Sequence, residues 1–279
     1  MPALPAFLSL FLAAFLVLIA PASQAGADTA SLSATLQTKD SFAVMVEEGK
    51  AYGASIEEQM FPEQGTARWA TMVTAIYDPT ALQAIFDQTL TEALAADLQT
   101  IDAAQEFFGS PRGQRILSAE IAARRTLLDE AAEEAAQVEA ERMQADRDPK
   151  MRPIREFIKA GDLIEQNVAG ALTANLAFLQ GMASVGTNGA VLDTDSMMSE
   201  VWGQEADIRA QTELWLLPYL TLAYRDLSEE DMQAYVAFSE SPAGQRLNGA
   251  LFTAYDKVFR KVSYDLGRAA ALLMQGNDI

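Results

Sequence analysis

EFFGSPRGQRIL at 106–117 and AFSESPAGQRLN at 237–248 share the pattern F-x-x-S-P-x-G-Q-R-(I/L), at an offset of 131 residues. Ser followed by Pro is how a helix starts: the hydroxyl caps free N–H groups, and Pro is at home in the first turn. The shared positions are Phe107, Ser110, Pro111, Gly113, Gln114 and Arg115, and then Phe238, Ser241, Pro242, Gly244, Gln245 and Arg246. They read as an internal repeat. Asp97 and Ser228 hold the same offset, each ahead of a short amphipathic stretch. More faintly, MVEEGKAY (45–52) resembles FIKAGDLI (157–164). The expected fold class is therefore all-α: an irregular multi-helix array of two sequence-related copies, packed as one unit. The copies are placed at 40–147 and 153–275, joined by ADRDPKMRP (145–153) and preceded by a lead-in at 28–39.

The apolar spacing outside the repeat is helical as well. Phe42, Met45, Val46, Gly49, Tyr52, Ile56 and Met60 recur three or four residues apart, as do Trp69, Met72, Val73, Ile76 and Tyr77. Asp78-Pro79 reads as a cap with Pro at the first helical position. Ser228 with Asp231 reads as a capping box. Residues 111–146 read as one long helix, and LWLLPYLTLAY (214–224) as a buried helix kinked at Pro218. SVGTNGAVLDTD (184–195) reads as a loop.

Composition removes whole chemistries. The 279 residues include no Cys and no His. Disulfides, thiol nucleophiles, Cys/His zinc sites, Ser-His-Asp triads and imidazole bases are therefore excluded. Twenty Lys+Arg against 39 Asp+Glu give a net charge of −19, which argues against a nucleic-acid partner. Half of the residues are hydrophobic, enough for a packed core.

The first segment reads as a signal peptide. AFLSLFLAAFLVLIA (6–20) is too short for a bilayer span, which needs about 20 apolar residues. Pro21 ends it, and Ala25-Gly26-Ala27 forms an A-x-A cleavage site. Cleavage after Ala27 leaves 28–279, with no transmembrane span in the mature chain and a periplasmic destination. MPALPAF lacks Lys and Arg, so an uncleaved inner-membrane anchor is the alternative.

The signal segment, the paired F-x-x-S-P-x-G-Q-R motifs and NVAGALTANLAFLQGM (167–182) together resemble the bacterial domain-of-unknown-function family 2059. The resemblance implies an exported, all-helical protein of bacterial envelope type. It implies no reaction, so it carries over no catalytic residue.

The candidate chemistry is thin. Ser110, Pro111, Ser241 and Pro242 read as capping residues. Gln114, Arg115, Gln245 and Arg246 have a ligand set between the copies as their functional reading. Gly113, Gly244, Arg115 and Arg246 sit where helix propensity and the macrodipole disfavour them. The expectation is that each Gly admits a neighbouring helix. Each Arg would reach a carboxylate, or the carbonyls that end the helix before Ser110 or Ser241. Asn167, Thr173 and Asn175 interrupt an apolar stretch and are candidate polar groups of a pocket. DTDSMMSE (193–200) fails as a calcium loop, with Met198 where Gly is needed. Adjacent acids such as Glu57/Glu58, Glu133/Glu134 and Glu229/Glu230 do not face each other on a helix. Lys257, Arg260, Lys261 and Arg268 read as a solvated face. No cofactor, metal or catalytic residue is expected. The function expected first is a non-enzymatic exported protein acting through contacts with a protein partner. The alternative is a carrier of a small apolar ligand near 167–182 and 214–224. A carboxylate-based hydrolase comes third.

Overall fold

The computed structural model describes residues 22–61, 67–185 and 194–275, together with the two-residue strand Leu18–Ile19. The apolar core of the expected signal peptide otherwise lies outside these residues, as do 186–193 of the expected loop. The first half contains α1 (Ala22–Thr35), α2 (Thr38–Met60), α3 (Ala67–Ile76), α4 (Pro79–Leu94), α5 (Leu98–Phe108), α6 (Pro111–Thr126) and α7 (Glu130–Ala145). The second contains α8 (Met151–Ala160), α9 (Leu163–Ala183), α10 (Thr194–Trp202), α11 (Glu205–Tyr224), α12 (Glu229–Glu240) and α13 (Pro242–Met274). The fold is all-α. Among the described residues the one sheet element is the antiparallel pairing of Leu18–Ile19 with Ala96–Asp97.

Local chemistry sets many of the helix starts. Asp78 accepts from the Ala81 N–H at 2.7 Å, and Ser228 from the Asp231 N–H at 3.0 Å. Each supplies an acceptor to a first-turn donor that has no intrahelical partner. Gln37, Arg147 and Asp162 turn the chain between helices with positive φ.

Two expectations about elements are corrected. Residues 111–146 are two helices, because the chain turns at Leu127–Asp129 and Asp129 caps α7 through the Ala132 N–H at 2.9 Å. Glu130 and Glu133 in the first turn of α7 suit its positive end. Thr194 and Asp195, assigned to the loop, open α10. Pro218 lies inside α11 as expected, and the Thr221 hydroxyl donates to the carbonyls of Leu217 and Pro218.

One hydrophobic cluster runs from Leu32 to Ala270 and draws on both halves. Its spine is α13, where Leu247, Leu251, Ala254, Val258, Val262 and Leu266 recur on the helical period and are buried. α13 packs most extensively on α9 and next on α4. α9 and α13 run parallel. Asn248 Nδ2 donates to Gly161 O at 2.7 Å near their starts, and Thr173 Oγ1 donates to Asp256 Oδ1 at 2.6 Å midway. Near their ends Gly181 and Gly267 bring the backbones together, since a Cβ on either would overlap the other helix's main chain.

Candidate functional site

The repeated motif forms the same joint twice. Ser110 Oγ accepts from the Gly113 N–H at 3.1 Å, and Ser241 Oγ from the Gly244 N–H at 2.9 Å. Each hydroxyl also donates to the carbonyl three residues back, Phe107 O or Phe238 O, at 2.6 Å. Pro111 and Pro242 sit in the first turn. A Cβ on Gly113 would overlap Phe107 O and the backbone of Phe108; one on Gly244 would overlap Phe238 O. The close neighbour is thus the end of the preceding helix.

The glutamines have a role that the sequence did not suggest. Gln114 Nε2 donates to Phe108 O at 2.7 Å and Thr35 O at 2.8 Å. Gln245 Nε2 donates to Ser239 O at 2.8 Å and Ala160 O at 2.5 Å. In each case one amide ties together the C-terminal ends of two helices, whose last carbonyls lack intrahelical donors.

The arginines cross between halves. Arg115 Nη2 meets Asp231 Oδ2 at 3.0 Å, and Arg246 Nε meets Asp97 Oδ2 at 2.8 Å. Of the two acceptors expected, carboxylates are the ones used, and they lie at the starts of α12 and α5. Arg112, outside the shared pattern, adds Asp231 Oδ1 at 2.6 Å and Glu230 Oε1 at 2.5 Å. Hydrogen bonds from Arg112 and Arg115 hold the Asp231 carboxyl down at about 2. Asp231 therefore fills half of a capping box: its N–H goes to Ser228, while its carboxylate serves the two arginines.

Of the pocket candidates, Asn167 and Thr173 come together and Asn175 does not. A groove of about 290 Å³ lies between α9 and α13, with Asn167, Gly170 and Thr173 on one wall and Gly249, Phe252 and Asp256 on the other. Asn167 Nδ2 donates to Leu163 O at 2.7 Å, and Thr173 bonds Asp256. Asn175 is buried and donates to Gln204 Oε1 at 3.1 Å, while its own Oδ1 has no partner. The segment 214–224 does not line this groove. Leu216 and Leu217 instead border a depression of about 210 Å³ with Arg155, Ile158 and Ile164. Glycine matters in the groove for a reason opposite to that in the joints. A Cβ on Gly170 or Gly249 would meet nothing within 4 Å.

Glu120 is a further residue of interest that no motif marks. It is 5% exposed on α6, and Tyr224 and Tyr235 both donate to its Oε1, at 2.7 and 3.2 Å. Burial pushes the carboxyl up to about 8, against the pull of the two phenols and Arg124. Arg124 is engaged by Glu48 through two hydrogen bonds, at 3.0 and 2.6 Å. The available signal was periodicity: Gly113, Ile116, Leu117, Glu120, Ile121 and Arg124 share the inner face of α6. Of the basic residues on α13, Lys261 pairs with Asp265 at 2.5 Å and Arg260 with Asp256 at 3.7 Å.

The stretch from α4 into α7, which contains the first motif, carries a family signature. Residues 80–141 match the family described as an uncharacterized protein conserved in bacteria (DUF2059). The match includes Ser110, Gly113, Gln114 and Arg115 and stops short of the second motif. Neither a curated protein nor a solved structure matches the chain.

Proposed function

We propose that the chain is an exported, non-enzymatic binding protein of the bacterial envelope, and that the groove between α9 and α13 takes a small, mainly apolar ligand. The carrying observation is the pair Gly170 and Gly249. Glycine inside a helix costs about 1 kcal/mol relative to Ala, and tight packing usually explains it. Here no atom beyond the helix's own adjacent backbone lies within 4 Å of either missing Cβ. The two glycines hold space open, as a binding groove requires. Phe252 and Phe259 supply apolar lining, and Thr173 and Asp256 a polar anchor. The most strongly raised carboxyl, Glu120, is sealed in the core and does not line the groove, which weighs against a hydrolase. Export is supported by the apolar run at 6–20 with its A-x-A site.

Native mass spectrometry of protein purified from its own envelope tests this reading, with Gly170→Leu and Gly249→Leu as controls. A small molecule retained by the wild type and lost from both variants is the expected result. A molecule retained equally by all three, or none in the wild type, overturns it. The protein-contact reading has its own observation. Met198 and Trp202, one turn apart on α10, are 40% and 50% exposed. A copurified protein lost on Trp202→Ala would favour that reading.

The same proposal takes the chain as two related helical units. The matching joints support it, as do the positive-φ residues Gln37 and Asp162, each placed just after the helix end held by Gln114 or Gln245. On that correspondence α1 matches α8, and the first unit begins with α1 rather than at residue 40. The faint likeness of 45–52 to 157–164 then has no structural counterpart. The former lies within α2, and the latter crosses from α8 into α9.

A further inference from the structure

We propose that Glu120 is a pH-sensitive joint between the halves of the molecule: its carboxyl group ties α6 to α11 and α12, and ionisation of that group loosens the tie. The inference does not depend on the groove. Three phenols converge on this residue. Tyr224 and Tyr235 donate to Oε1, and Tyr219 donates to the Glu120 carbonyl at 3.3 Å. The surroundings are aromatic. Phe157 stands with its ring centroid 4.5 Å from that of Tyr235 and packs edge-on against Tyr224. A neutral carboxyl suits such a place; a carboxylate there is paid for in lost hydration.

The charged and titratable groups around it do not remove that cost. Arg124, one turn further along α6, is occupied by Glu48 of α2. Tyr219 and Tyr224 of α11, Tyr235 of α12 and Tyr255 of α13 are all held neutral by burial. The Glu120 carboxyl itself is displaced upward to about 8.

The fold does not need an acid for this contact. At the 131-residue offset of the repeated motif, Glu120 corresponds to Leu251, which is buried on α13. Tyr224 and Tyr235 correspond to Ala93 on α4 and Ala104 on α5. α13 packs against α4 and α5, so the corresponding helices meet with no acid at this position. The acid and its two phenols thus stand at positions where the corresponding helices carry Leu and Ala.

The sign follows from linkage. Once exposed, the carboxyl loses its proton near its ordinary value of 4.5; closed, it keeps the proton to about 8. Closing therefore takes up a proton, and the open population rises about tenfold per pH unit between those values, then levels off. In an exported chain the joint would respond to the pH of the medium.

Hydrogen exchange on the full chain, corrected for intrinsic rates, tests the joint between about pH 5.5 and 9. Opening of α6, α11 and α12 should rise about tenfold per unit and flatten above about 8. Glu120→Gln should give a flat profile, because the amide still accepts from both phenols and has no such proton to lose. Equal slopes in the two proteins would overturn the proposal. Carboxyl carbon NMR of the wild type provides a check free of substitution. One glutamate titrating near 8, in step with ring signals of Tyr224 and Tyr235, supports the joint; glutamates that all titrate below about 6 overturn it.

Discussion

The rings of Phe107 and Phe238 stack with centroids 4.0 Å apart and planes 17° from parallel. The two residues hold the same position in the two copies of the motif, so the motifs meet each other rather than lying apart. Arg115 reaching Asp231, and Arg246 reaching Asp97, complete the contact from both sides. A double-mutant cycle of Phe107→Leu and Phe238→Leu should show a coupling of about 0.5–1.5 kcal/mol, the range for aromatic pairs. Simple additivity in denaturant melts would mean that the rings are only neighbours.

Ser110→Ala and Ser241→Ala should each cost about 1 kcal/mol through the lost cap. Full additivity follows from the idea of separate copies. The stacked phenylalanines change that expectation, because each serine also holds the carbonyl of Phe107 or Phe238. The double variant should therefore depart measurably from the sum.

The four glycines should divide into two pairs. Gly113→Ala and Gly244→Ala should destabilise by about 1–3 kcal/mol, because the new methyl overlaps the preceding helix end. Gly170→Ala and Gly249→Ala should stabilise by up to about 1 kcal/mol, since only helix propensity changes. Thermal melts of the four single variants decide the matter. The same sign for all four would contradict the geometry.

Asp231 should contribute stability above about pH 4 and lose it as the pH falls. Its folded value, held at about 2 by Arg112 and Arg115, lies below the ordinary 3.8. The folded state thus binds the proton less tightly than the unfolded state, and acid withdraws the stabilisation on the way down to about 2. Asp231→Asn should cost about 1–2 kcal/mol at pH 7, as expected for hydrogen bonds to a charged group. The gap to the wild type should narrow by pH 2. A pH-independent gap would place the effect elsewhere.

Arg→Lys should separate the two motif arginines. Arg246 uses Nε on Asp97 and directs Nη2 at Ala93 O, so loss of the planar fork should cost about 1 kcal/mol. Arg115 offers a single nitrogen to an aspartate that Arg112 already holds, and its change should stay within about 0.5 kcal/mol. Urea midpoints in the reverse order would rule this account out.

The helix starts at Pro79, Pro111, Glu229 and Pro242 were legible because a cap is local: Asp78, Ser110, Ser228 and Ser241 each act on a donor three residues ahead. The all-α class was legible because a 3.6-residue period needs no partner to be visible. The excluded chemistries followed from the missing Cys and His. The turn at Leu127–Asp129 was missed although Asp129 is an ordinary cap, because the Ala- and Glu-rich stretch on either side has helical propensity throughout. Other features depend on residues far apart in the chain. Gln114 finds Thr35, Arg246 finds Asp97, and Glu120 finds Tyr224 and Tyr235 only after the helices pack. Gly181 and Gly170 lie on the same helix, yet one is crowded by α13 and the other faces open space. Their surroundings, not their identity, separate a packing contact from a groove, and surroundings of that kind arise only when two distant helices are laid side by side.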